Sequence, residues 1–446
     1  MTGMSGKALT RRSALVLPLA LGGCSLWDKW FGENKKPLPG KREPVLGATH
    51  GLSVDESAGK VVLPQAVRNA AWPQAGGNPA HLMGHLAANE RLAQAWTADI
   101  GSGGGYRQKI MAQPVVAEGV VYTMDSNAVV SAFDLATGRR RWRLDTRAKD
   151  DDSTNIGGGL AVDQGILYAV NGLAELVAID AVSGAIKWRT VLGAPARSAP
   201  TVAEGRLFVT TIEDRLLARA TDDGRELWTH QATNAVTAVL GQPAPAYADG
   251  LVVAGFGSGE LVCLRAESGN VVWSDNLGAA GGRAASVADF SSIRGLPVIS
   301  NGRVFATGTG GLTLSLDLPT GRRLWEREVA SVASPWVAGD WVFLVSLEQQ
   351  IAALNANDGR VAWITDLPRW EDPEKQKDSF TWFSPVLVED RIVVAGTSEE
   401  ALSISPYTGD ILGRQKLSGQ SAPVGPIVAD GTLLLVSEDA RLLALR

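Results

Sequence analysis

Four histidines, two cysteines and a run of three acids are the residues of this 446-residue chain with the most obvious capacity for chemistry. Their spacing is that of a chain without an active site. His81 and His85 stand four apart, as two imidazoles sharing a metal on one helix face would. However, His50 and His230 are distant and no further ligands gather round the pair, so a flexible or surface pair is expected. Asp150-Asp151-Asp152 carries charge that attracts calcium but lacks the alternating ligands of an EF-hand loop, and reads as a hydrated turn. Cys263 sits in the alternating run Glu260-Leu261-Val262-Cys263-Leu264, where a thiol behaves as a small core residue. The chain has neither a G-x-S-x-G nucleophile turn nor a G-x-x-x-x-G-K-[ST] phosphate loop. No catalytic residue, metal or cofactor is therefore expected. The formal charge of −5 argues against nucleic acid as a main partner, since a phosphate-binding face needs a basic excess.

The remaining sulfur, Cys24, has a different context. Lys7, Arg11 and Arg12 precede the apolar run from Ala14 to Leu21, which is too short to span a bilayer. The run ends in Leu21-Gly22-Gly23-Cys24, which resembles the bacterial lipobox. Residues 1–23 are expected to be a signal peptide, with Cys24 the acylated first residue of the mature chain; a plain secretory signal cut nearby is the alternative. Arg11-Arg12 suits a twin-arginine route as well as the general one. Acyl chains contribute about 0.8 kcal/mol per buried CH₂, so multi-chain anchoring needs no membrane-spanning helix. With Cys24 acylated, Cys263 has no disulfide partner in the chain. Residues 24–91 read as a tether, extended through Lys35-Lys36-Pro37-Leu38-Pro39-Gly40. Within it, Trp72-Pro73-Gln74 and the stretch from His81 to Leu92 are apolar enough to dock.

From residue 92 the chain repeats itself, and the repeats are what would position any site. Each unit reads apolar strand, turn, apolar strand, small turn, tryptophan. The Gly-x-x-x-Trp element recurs at Gly138/Trp142, Gly184/Trp188, Gly224/Trp228, Gly269/Trp273, Gly321/Trp325 and Gly359/Trp363. A seventh copy, Gly409, has Gly413 in the tryptophan position. An eighth unit begins at Gly431 and reaches Ala444-Leu445-Arg446 before its turn and tryptophan. The segment from Leu92 to Ile100, carrying Trp96, supplies the missing strand. The expectation is an all-β, eight-bladed β-propeller of four-stranded antiparallel blades over residues 92–446, closed by an N-terminal strand. The repeated tryptophans are expected to fill the space between twisted neighbouring blades, and Asp134, Asp180 and Asp317 to accept backbone N–H groups in the turns.

The unit from Tyr122 through Ala132-Phe133-Asp134-Leu135-Ala136-Thr137-Gly138 to Trp142 resembles the PQQ-like repeat. Combined with the lipobox, the tether and the closing N-terminal strand, the chain is similar to the BamB family of outer-membrane protein assembly lipoproteins. The resemblance implies a scaffold, lipid-anchored at the periplasmic face of the outer membrane. Its partners would be the POTRA domains of the barrel-forming subunit and unfolded outer-membrane proteins. The family's contact loops match Thr237-Ala238-Val239-Leu240-Gly241 and Ser291-Ser292-Ile293-Arg294-Gly295, which makes Thr237, Val239, Leu240, Ser292 and Arg294 the expected partner-binding residues. The charge pattern departs from the family's, with Leu240 where a basic residue is usual and Ser292 and Arg294 where acids are. Two other readings stay open: a PQQ-dependent quinoprotein dehydrogenase, for which the adjacent-cysteine platform is missing, and an envelope propeller with another partner.

Overall fold

Apolar runs of five or six residues become strands here because each ends in a turn that a twisted hairpin can accept. In Glu118-Gly119 both residues take positive φ, +49° and +70°, and Asn301-Gly302 repeats those values. That geometry matches the right-handed twist of the flanking strands. The computed structural model describes residues 51–89, 92–105, 108–148, 157–196, 198–233, 241, 243–278, 292–417 and 421–446. Among these are eight four-stranded antiparallel sheets, seven of them simple meanders and the eighth completed by an N-terminal strand, and one small hairpin, Trp370–Asp372 with Lys377–Ser379. The first blade shows the pattern: Val115–Ala117, Val120–Met124, Val129–Asp134 and Arg140–Asp145. Its second strand is buried throughout, while the fourth alternates at the solvent edge. Sheets covered on both faces need such continuous apolar runs. The expected eight-bladed propeller is observed. Among the described residues, no helix is long and apolar enough to cross a membrane.

The tryptophans occupy the seams. Trp325 packs against Phe305 of its own blade at 6.1 Å between ring centroids, across the small Ser315 of the strand between them. Its indole N–H then donates 2.9 Å to the Ala356 carbonyl of the next blade. The ring also lies on the turn of that blade, where a Cβ on Gly359 would stand 2.8 Å from the indole. Gly359 has φ +71°, so the position favours glycine twice over. Other seams repeat this, Trp142 bonding Ala181 O at 3.1 Å and Trp273 bonding Leu318 O at 2.6 Å. Cys263 falls in the small position between Val253 and Trp273. It is fully buried, and burial pushes its thiol up to about 12, so it is an inert core residue. Asp134, Asp180 and Asp317 accept the turn N–H groups of Thr137, Ser183 and Thr320 at 2.9–3.1 Å.

The ring closes as the repeats require. Gln94–Asp99 pairs antiparallel with Arg441–Leu445, matching Trp96 to Ala444 and Asp99 to Arg441. Ala93 and Arg446 exchange backbone bonds of 2.7 and 2.8 Å. Trp96 then donates to Leu135 O at 3.1 Å and so joins the eighth blade to the first. No turn links the third and fourth strands of this eighth blade, because they come from opposite ends of the fold. The tryptophan position facing it, Gly413, has nothing within 4 Å of a built Cβ. The seventh repeat lacks its tryptophan where the neighbouring turn is also lacking.

The tether reading changes over residues 67–89. This segment makes one circuit of the channel and visits the blades in ring order. Asn69 O accepts from Asp430 N at 2.7 Å in the eighth blade, and Trp72 exchanges two 2.8 Å bonds with Val116 in the first. Pro73 O takes Val162 N at 2.7 Å, and the Gln74 side chain takes Val202 N at 2.8 Å. Pro79 and Ala80 serve Tyr247 and Ile299, Gly84 accepts from the Trp336 indole, and Leu86 O takes Glu389 N. The two ends of the circuit then pair with each other through Val67 and His85–Ala87. The physical cause is the inner edge of each blade, whose exposed N–H groups need acceptors. His81 and His85 are buried in this collar rather than on a surface helix, and each bonds a backbone carbonyl.

Trp325→Ala should lower stability by about 3–5 kcal/mol, as buried aromatic truncations do. Gly413→Trp should change it by less than about 0.5 kcal/mol, since it fills no seam. Urea unfolding of both variants checks the assignment; a Trp325→Ala loss under about 1 kcal/mol would refute it.

Candidate partner-binding site

In a four-strand meander the turns between strands one and two and between three and four lie at one end. The turns between strands two and three, and the linkers between blades, lie at the other. The linker that carries Ser292 and Arg294 is pinned to its frame. Ile293 is 1% exposed, donates its N–H to Phe256 O at 3.0 Å and packs where a Cβ on Gly255 would come within 2.5 Å. Ser292 is 2% exposed, and its N–H donates 2.8 Å to the Thr309 hydroxyl, whose own N–H returns 2.8 Å to Ser292 O. Ser292 therefore fixes the backbone, and Arg294 between Ile293 and Gly295 is directed into the mouth of the channel.

That mouth is a funnel of about 430 Å³. Arg294 lines it, half-buried, and reaches Gly241 on the preceding linker, where a built Cβ would lie 3.4 Å from the guanidinium and 3.4 Å from the Met111 methyl. Met111 comes from the linker into the first blade, opposite the fifth blade that Arg294 precedes. Arg294 has no hydrogen bond or ion pair among the described residues, and burial pushes its pKa below the ordinary value. Thr237, Val239 and Leu240 lie outside the described residues. Gly241, next in the chain, lines the funnel beside Arg294.

Below the funnel lies a second cavity of about 60 Å³, and both are lined by Gln113, Leu296, Ser334, Ser384 and Gly425. Its wall includes Trp72 and His81 of the collar together with Trp336, stacked on Trp72 at 6.3 Å. His81 is buried, with Nδ1 2.7 Å from Pro297 O and Nε2 without a partner. Desolvation pushes it down to about 4. The linker before the seventh blade contributes Phe383 to the funnel, while Trp382 is 1% exposed and donates to Pro368 O at 2.8 Å, covering the blade. Sequence reasoning missed Met111 and Gln113. A usable signal was present: Gln113, Ala244, Leu296, Ser334, Ser384 and Gly425 each stand two residues before an inner strand. No group of three or more His, Cys, Asp or Glu residues that could hold a metal occurs among the described residues.

The geometry leaves family to sequence comparison. A family model described as outer membrane protein assembly factor BamB matches residues 126–365 and 348–446. The chain belongs to the BamB family. A model of the glucose/ethanol/alcohol dehydrogenase propeller domain matches residues 87–162. The BamB of Salmonella typhimurium is 29% identical over 357 residues, covering 78% of this chain and 88% of the relative. That of Escherichia coli is 28% identical over 353 residues, covering 77% and 86%. Among solved structures, BamB from Moraxella catarrhalis superposes with a TM-score of 0.67 at 19% identity, over 80% of this chain and 99% of that one. A quinohemoprotein alcohol dehydrogenase from Comamonas testosteroni gives 0.64 at 14% identity, over 85% and 81%. At such identities the structural likeness speaks for the fold alone.

Buried neutral in the fold and free to protonate when unfolded, His81 makes the unfolded chain the better proton acceptor between its ordinary pKa of 6.5 and its folded value near 4. Its contribution is complete above pH 6.5 and declines as the pH falls through that window. Between pH 7 and pH 4.5 it should cost about 2 kcal/mol. The loss should shrink in His81→Gln. Denaturant titrations of both proteins at the two pH values check this, and parallel pH curves would refute it.

Proposed function

We propose that this chain is a non-catalytic scaffold of the outer-membrane β-barrel assembly machinery. It is lipid-anchored through Cys24 at the periplasmic face of the outer membrane. It binds the POTRA domains of the barrel-forming subunit and aids insertion of unfolded outer-membrane proteins. Membership of the BamB family supports the assembly role. The observation that carries the binding face is Arg294, a rigidly mounted cation without a partner among the described residues, at the convergence of the two linkers. Thr237, Val239, Leu240 and Arg294 form the contact surface, and Ser292 holds the second loop in register. A buried charge left unpaired in the free protein gains most when a partner supplies its counter-charge.

Co-purification from detergent-solubilised envelopes tests the reading. Wild-type protein should bring down the barrel-forming subunit. Leu240→Asp and Arg294→Glu should each reduce its recovery about tenfold, a loss of roughly 1.4 kcal/mol, with unchanged thermal unfolding. Cys24→Ser should move the protein out of the membrane fraction. Recovery of bound quinone with dye-linked alcohol oxidation, and no barrel subunit, would support the dehydrogenase instead.

A further inference from the structure

The funnel is closed at its inner end. The collar passes beneath it, Ala75 lining the funnel itself and Trp72 with Trp336 lining the small cavity below. A space of about 430 Å³ with such a floor is a pocket rather than a conduit, and lies in the size range of ligand sites, about 300–1,000 Å³. Its walls mix hydroxyl and amide groups with an apolar part formed by Met111, Leu296, Val332, Phe383 and Val424, and Arg294 is the one cation among its described lining residues. A single desolvated guanidinium favours a planar monoanion that it can grip with two N–H groups. A phosphate, with up to two charges, would call for further cations that this wall does not supply. The surrounding apolar surface favours an anion that carries a hydrophobic group beside it.

We propose that the funnel binds a peptide carboxylate, paired with Arg294, with an adjacent apolar side chain inserted between Met111, Val332 and Phe383. The carboxylate comes from either an acidic side chain or a chain terminus. The proposal rests on the reading of this face as a binding face, but it assigns the pocket its own ligand apart from the barrel-forming subunit. Gly241 belongs to the design: with φ +87° and no side chain, it leaves the guanidinium room at the throat.

Fluorescence anisotropy with the purified full chain and labelled hexapeptides of apolar composition tests it. One peptide carries a free terminal carboxylate and no acidic side chain. A second carries one internal Glu and an amidated end, and a third is wholly neutral. One or both of the acidic peptides should bind at least tenfold more tightly than the neutral one, and the one that does identifies the source. Arg294→Gln should reduce that binding to the neutral level with unchanged thermal unfolding, and Arg294→Lys should retain part of it. Equal binding of the neutral peptide, no binding at millimolar concentration, or unaltered affinity in Arg294→Gln would overturn the proposal. Because no other subunit is present, peptide binding can survive when complex formation fails, or fail when it survives, so the two readings fall separately.

Discussion

The fold depends on one antiparallel ladder, Gln94–Asp99 against Arg441–Leu445. Sheets stacked around an axis leave a first and a last face, and both stay unsatisfied unless the ring shuts. Here the closing contact is made of backbone hydrogen bonds between segments more than 340 residues apart. Such a closure is entropically costly to reach, because loop closure is long-range. Once formed, it lets every apolar strand face be covered by a neighbour.

The tryptophan seams follow from that arrangement, and so does their exception. Each indole needs three things: an aromatic or aliphatic neighbour on its own blade, a small residue between, and the glycine turn of the next blade. Seams with all three carry a tryptophan. Gly413 faces the blade whose third and fourth strands are joined across the closure instead of by a turn, so an indole there would have neither carbonyl nor glycine to rest on. What reads in the sequence as a worn repeat is a consequence of where the ring is cut.

The blades and the closing strand were legible because their causes are local and periodic: paired left-handed turns, alternating apolar residues and one tryptophan per unit. The collar was not. Asn69, Pro73, Pro79 and Gly84 share no side-chain property that marks them; they contribute backbone carbonyls, which every residue possesses. Trp72-Pro73-Gln74 stood out as able to dock, but its partners on the first three blades could not be found by any pattern of spacing. His81 and His85 had helical spacing but lie in irregular chain, His81 with a left-handed φ of +57°, because the edges of seven inner strands compete successfully with a short local helix. Of the expected contact residues, Arg294 lines the funnel and Ser292 is buried beside it, fixing the backbone.

Collar and funnel together give the two ends of the ring different characters. At the turn end, the acceptors that inner-strand N–H groups require come from within the chain, and the surface is already satisfied. At the linker end, Ala199, Ala244, Ser334, Ser384 and Gly425 are small residues two positions ahead of their inner strands and leave the channel room, and a desolvated arginine stands without a counter-charge among the described residues. A half-buried guanidinium with no hydrogen bond or ion pair among the described residues contributes little to the fold, so its presence is better accounted for by recognition than by stability. The propeller is thus internally completed on one face and left incomplete on the other, and the incompleteness is concentrated at a single guanidinium.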